Sequence, residues 1–130
     1  MYCLDTNTII YIQKDHESVL SKLEKIDELD LCITSITRAE LFFGAYKSSR
    51  VQKNLAHVHY TCSKMKVFLP NLKSDEIFGK IKASLRKSGR IVEDSDLMIA
   101  AIALANDLTL VTHNTKHFQN IPGLKLVDWV

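Results

Sequence analysis

The chain has 130 residues, a length at which one hydrophobic core makes one domain. Its 46% apolar and 25% charged residues describe an ordinary globular protein and exclude collagen-like, mucin-like and disordered classes. A net charge of +2 is too small to argue for a nucleic-acid partner from the total alone, and no run approaches the roughly 18 apolar residues of a membrane span.

The opening residues, Met1-Tyr2-Cys3-Leu4-Asp5, have neither the basic stretch nor the apolar run of a signal peptide, so a cytoplasmic protein is expected. Tyr2 to Leu4 reads as a short buried strand stopped by Asp5, and Asn7 to Lys14 as a helix. Val19, Leu20, Leu23 and Ile26 recur at helical spacing and predict an amphipathic helix ending near Asp27-Glu28. Leu31 to Ile33 is a second buried strand. From Ile36 the pattern turns helical through Leu41 and Ala45, and residues from about Arg50 to Met65 continue as another helix.

Val67 to Leu69 predicts a brief strand closed by Pro70, and Ser74 is the expected N-cap of the following helix. Ile77, Ile81 and Leu85 form the stripe of that helix until Gly89 stops it. Lys73, Lys80, Lys82, Arg86, Lys87 and Arg90 against Asp75 and Glu76 make the segment basic, as a solvated face or a phosphate-facing surface would be. Leu97 to Ala105 is apolar on nearly every side, as in a helix buried in the core. Thr109 to Val111 and Leu124 to Val127 are the last predicted strands. Cys3, Cys32 and Cys62 are odd in number, contain no C-x-x-C pair and read as small buried hydrophobes. Short apolar strands alternating with helices predict a single α/β domain over residues 1–130, three-layer α/β/α with a central parallel sheet.

Such sheets place ligands outside the carboxyl ends of their strands. Asp5-Thr6-Asn7-Thr8 follows the first strand, Thr34-Ser35-Ile36-Thr37 with Glu40 the second, and Thr112-His113-Asn114 a later one, while Glu93-Asp94-Ser95-Asp96 opens the buried helix. Three carboxylates meeting about 5 Å apart would repel by roughly 3 kcal/mol per pair, which protons or a divalent cation must offset. Oxygen ligands without Cys or His select a hard ion, Mg²⁺ or Mn²⁺. Each acid also has a purely structural reading. Asp5 fits an N-cap, Thr37 and Glu40 fit a T-x-x-E capping box, Asp94 fits an N-cap, and Asp96 suits a helical first turn.

His113 and His117 are four apart and fit a shared helix face, but no third transition-metal ligand has matching spacing. Ser35 and Ser95 lack a G-x-S-x-G setting, and four glycines form no phosphate loop. Two rivals to a metal nuclease stay open. One takes Asp5 as the nucleophile of an aspartyl-phosphate phosphatase, against the missing second aspartate of D-x-D-x-T. The other is a non-catalytic module acting only through a protein partner.

These pieces in this order resemble a PIN-domain ribonuclease, in particular the VapC-type toxins of bacterial toxin–antitoxin pairs. The resemblance rests on Leu4-Asp5-Thr6-Asn7, then Ile33-Thr34-Ser35-Ile36-Thr37 with Glu40-Leu41 and Gly44, then Gly89 and Asp96 to Ala103. Leu110 to Asn114 with His117-Phe118, and Gly123 leading to Trp129, complete it. It implies a Mg²⁺-dependent endoribonuclease, with Mn²⁺ as the other candidate ion, acting on RNA such as a tRNA loop. Asp5 and Asp96 would hold the metal and Glu40 would orient or deprotonate the attacking water. Thr6, Asn7, Ser35 and Thr112 would orient carboxylates or contact phosphate. Asn114 stands where many relatives carry an aspartate, and it offers hydrogen bonding to a metal-bound water without adding charge. The resemblance further implies a homodimer and a small VapB-type antitoxin through which DNA is met only indirectly. The antitoxin would lay an apolar helix on the toxin and insert a cation among the acids. Phe42, Phe43 and Tyr46 are candidates for the apolar contact, although burial in the core is expected for at least two of them.

Overall fold

A computed structural model describes residues Met1 to Val130. The chain alternates as the apolar runs require: β1 (Tyr2–Leu4), α1 (Thr6–Gln13), α2 (Glu17–Leu23), β2 (Leu31–Thr34), α3 (Ser35–Tyr46), α4 (Val51–Lys64) and β3 (Lys66–Phe68). It continues with α5 (Leu72–Lys87), α6 (Asp94–Ala105), β4 (Thr109–Val111), α7 (Thr115–Phe118) and β5 (Lys125–Val127). The strands form one sheet in the order β3-β2-β1-β4-β5, parallel throughout. The chain therefore winds outward from β1 through β2 to β3, then returns to the other side of β1 for β4 and β5. The winding direction reverses between β1 and β4, and a crevice opens at the carboxyl ends of strands at such a reversal.

Successive strand residues point to opposite faces. Cys3, Cys32 and Leu110 pack on one side with Leu97, Ile99, Ala100 and Ala103 of α6, Leu85 of α5 and Phe118 of α7. Leu4, Ile33 and Val111 pack on the other with Ile9, Val19, Leu41, Val58 and Trp129. This is the expected three-layer α/β/α arrangement, with α5 to α7 on one face and α1 to α4 on the other. The small side chains of α6 let it lie deep, and Ala100 to Ala103 are inaccessible to solvent. Cys3 and Cys32 are register partners on adjacent strands. The neighbouring Cys32 thiol, with burial second, holds the Cys3 thiol well above the usual range, while the Cys32 thiol donates to the Tyr2 carbonyl at 3.5 Å and is itself pulled down by the adjacent Cys3.

Several local expectations change. The second helix stops at Leu23, because the amides of Lys25 and Ile26 bond only three residues back, to Lys22 and Leu23. Ser74 does not cap α5. Asn71 does, accepting from the Ser74 amide at 3.0 Å while the Ser74 hydroxyl accepts from the Asn71 amide at 2.8 Å. There is no Thr37–Glu40 capping box either, since α3 starts directly after β2 and Thr34 Oγ1 accepts from the Thr37 amide at 3.2 Å. Asp94 lies inside α6 and pairs with Lys82 at 2.8 Å instead of capping the helix. Cys62 is only half-buried. Phe43 and Tyr46 are each 65% exposed, against the expected burial, because the core face of α3 is Thr37, Leu41 and Ala45.

Candidate active site

Asp5 leaves β1 at the reversal point, and its main chain is tied there. Its amide donates to the Val111 carbonyl at 3.1 Å, and the buried Thr8 hydroxyl donates to the same carbonyl at 3.1 Å. Asp5 Oδ1 accepts from the Thr8 amide at 2.8 Å, so the residue does cap α1. The side chain is only 6% exposed, yet Oδ2 has no protein partner and is not sealed from solvent. Capping therefore occupies one oxygen and leaves the other without a protein partner.

Glu40 comes from one turn inside α3. Thr6 Oγ1 lies 2.8 Å from Glu40 Oε1 and 3.3 Å from the buried Thr37 hydroxyl. With one hydroxyl proton to give, Thr6 donates at the shorter distance and fixes the glutamate across 34 residues of chain. Asp96 enters from the first turn of α6. Burial pushes its carboxyl above the usual carboxylate range, the charges of Glu93 and Asp5 push the same way, and His117 opposes them. His117 Nδ1 is 3.3 Å from Asp96 Oδ2. That Asp5 is felt at Asp96 is the mark of two acids sharing one mouth, the condition a bound cation relieves.

The three acids do not close into a cage: no three acidic, histidine or cysteine side chains converge tightly enough to enclose an ion by themselves. The donors are hard oxygens, and Mg²⁺ uses one or two carboxylates while keeping several of its waters. The residues present fit such an ion through Asp5 and Asp96, with Glu40 set back and held by Thr6.

The other candidate residues gather at the same sheet end in different ways. Ser35 opens α3, and Asn7 is exposed in the first turn of α1. Neither bonds to an acid. Thr112 is fully buried and its hydroxyl accepts from the Asn114 amide at 3.0 Å, so it shapes the loop that carries Asn114. The Asn114 side chain makes no capping bond and is partly open. His113 and His117 do not form a metal pair: His113 turns to Asp128 at 2.9 Å while His117 turns to Asp96. Sequence reasoning missed Thr8, whose signal was its place three residues after a capping aspartate, and the contact of His117 with Asp96, which no local spacing announces. The aspartyl-phosphate reading lacks its lysine, since Lys82 and Lys125 pair with Asp94 and Asp107 and no lysine pairs with Asp5, Glu40 or Asp96.

A parallel sheet whose reversal point gathers acids from the end of β1, from α3 and from α6 has clear counterparts. Residues 2–124 match the family model described as PIN domain, and the chain belongs to that family. The chain is similar to ribonuclease VapC2 of Haemophilus influenzae, 35% identical over 99% of this chain and 98% of the relative. It is also 35% identical to the tRNA(fMet)-specific endonuclease VapC of Salmonella typhimurium, over 98% of this chain and 97% of the relative. Among solved structures, VapBC2 of Rickettsia felis bound to a DNA fragment from its promoter matches with a TM-score of 0.89 at 34% identity, covering 99% of this chain and 98% of that one. Within the PIN domains these likenesses are to VapC proteins.

Proposed function

We propose that the chain is the ribonuclease toxin of a VapBC-type toxin–antitoxin pair, hydrolysing RNA phosphodiester bonds with a divalent ion, Mg²⁺ or Mn²⁺. The observation that carries this reading is the delivery of Asp5, Glu40 and Asp96 from three separate elements to the β1–β4 reversal point, where the charge of Asp5 helps raise the Asp96 carboxyl. The free Oδ2 of Asp5 and the Asp96 carboxylate would hold the ion. When bound, such an ion lowers the pKa of its water and neutralises charge developing on the phosphoryl oxygens. Glu40, with Oε1 held by Thr6, has Oε2 left to take the proton of the attacking water. Asn7, Ser35 and Asn114 supply polar side chains for phosphate oxygens at the rim. Attack by water leaves a 5′-phosphate and a 3′-hydroxyl and does not require the ribose 2′-hydroxyl.

The names of the relatives support RNA, and for the Salmonella protein a tRNA, as the substrate class. The Rickettsia complex supports a small VapB-type antitoxin as partner, with DNA met through that assembly. A homodimer and a cytoplasmic location complete the proposal. No helix is long and apolar enough to cross a membrane.

Total RNA incubated with the chain in Mg²⁺, in EDTA, and with Asp5→Asn or Glu40→Gln in Mg²⁺ tests it. Cleavage yielding 5′-phosphate ends is expected in Mg²⁺ only, with each variant about 100-fold slower or worse. Undiminished cleavage in EDTA, or by Asp5→Asn, overturns the assignment.

A further inference from the structure

Two adjoining clefts lie beside the acids, on the side of α5 and α6. One, of about 600 Å³, is lined by Lys82, Arg86, Arg90, Ile91, Glu93 and Asp94 among others. The second, of about 400 Å³, leads from Arg90 and Ile91 to Lys116, His117 and Asn120. Arg90, Ile91 and Val92 line both, so the α5–α6 connection is a wall with a cleft on each side. His117, at the far end of the second cleft, contacts Asp96. The groove therefore reaches the immediate neighbour of Asp96.

Cations outnumber acids along it, with Lys82, Arg86, Arg90 and Lys116 set against Glu93 and Asp94. Lys82 is occupied by Asp94, but Arg86, Arg90 and Lys116 are exposed and form no ion pair. A solvated helix face accounts for cations along α5. It does not account for Lys116, from the separate helix α7 after β4, meeting Arg90 in one cleft. Between these cations stands Ile91, 95% exposed on the shared wall. An unpacked apolar side chain flanked by free cations is costly as plain surface and suits a partner that alternates charge with flat apolar faces. A single-stranded nucleic acid has that chemistry, with phosphates for guanidinium forks and bases for apolar contact.

We propose that the two clefts form the track of single-stranded RNA toward the acids, with Arg86, Arg90 and Lys116 meeting backbone phosphates and Ile91 lying against a base. This rests on the ribonuclease reading above and adds to it where the strand lies. The track has a direction, since the second cleft ends on His117, which contacts Asp96.

Fluorescence anisotropy of a dye-labelled single-stranded oligoribonucleotide of mixed sequence tests the track without turnover, in a Glu40→Gln background over a series of salt concentrations. The triple variant Arg86→Ala, Arg90→Ala, Lys116→Ala should bind at least about 10-fold more weakly, and its log K against log salt slope should fall by about 2, roughly 0.7 for each lost phosphate contact. Ile91→Ala should weaken binding without changing the slope, and Ile91→Phe should restore it. Lys73→Ala, on the same helix outside both clefts, should change neither quantity. All these side chains are exposed, and far-ultraviolet circular dichroism melts verify that the variants fold. Unchanged affinity and slope in the triple variant overturn the track, as does intact RNA binding combined with lost binding of a co-purified inhibitor protein. A chain that binds through these residues yet cleaves no RNA fails the catalytic reading alone. A chain that cleaves RNA while the triple variant binds unchanged fails the track alone.

Discussion

Asp5 shows how one side chain serves both fold and chemistry. Its Oδ1 caps α1 and its Oδ2 has no protein partner, so the capping reading occupies one oxygen and leaves the other available to the proposed site. Asn also caps helices well, and Asp5→Asn is the substitution that removes charge with the least cost to α1. Asp96 has no such second duty. Its folded-state pKa is raised, first by burial, so in the metal-free protein the ionised form is a penalty that is fully present above the raised pKa. The penalty shrinks as pH falls through that value and is gone below the ordinary carboxylate range, where folded and unfolded chains are both protonated. Asp96→Asn should therefore be more stable than the parent at neutral pH in EDTA, with the difference closing on acidification. Urea unfolding midpoints at several pH values check this. A variant less stable than the parent at neutral pH would mean that the His117 contact outweighs burial and like-charge repulsion.

Among the elements, α3 is the one on which the catalytic geometry turns. Because Thr34 caps it, the helix begins immediately at the end of β2, and Glu40 falls in its second turn, facing Thr6. Thr34→Ala should cost about 1 kcal/mol in urea unfolding, the usual worth of such a cap, while Thr37→Ala, no longer a capping change, should show no capping loss. The strands, the buried α6 and the carboxyl-end placement of the acids were legible because they follow from short-range periodicity and from the rule for parallel sheets. The Thr6–Glu40 bond, the Asp96–His117 contact and the Thr8 anchor were not, because each joins residues that sequence spacing does not relate. Caps were misplaced by one to three residues for a similar reason. Asn71 and Ser74 are both good capping residues, and only the reciprocal bonds decide which of them begins the helix. Phe43 and Tyr46 misled because hydrophobicity alone does not say which side of a helix a residue occupies, and Leu41 and Ala45 had already taken the core side.

At the scale of the whole molecule, β1 is both the first strand and the centre of the sheet, and although the winding ends at the edge strand β5, the tail beyond it returns toward β1. The last residues close over this centre. Trp129 is buried against Tyr2 with ring centroids 5.7 Å apart, its carbonyl accepts from the Ser18 hydroxyl at 2.7 Å, and Asp128 holds His113. The end of the chain is thereby tied to β1, α2 and the loop after β4. The cysteines turn this plan into a chemical clock. Cys3 and Cys32 sit fully enclosed on the central strand β1 and its neighbour β2, whereas Cys62 is partly open on α4. An aromatic disulfide reagent should modify Cys62 rapidly, and the other two together at a slow rate set by opening of the sheet itself. The slow phase should not speed up on adding more reagent once labelling outpaces reclosing, and it should accelerate with urea along the global unfolding transition. Three thiols reacting in one phase would show that the sheet centre breathes as freely as the surface. Otherwise the interval between the first thiol and the remaining pair times the loosening of the fold, with no probe added to the chain.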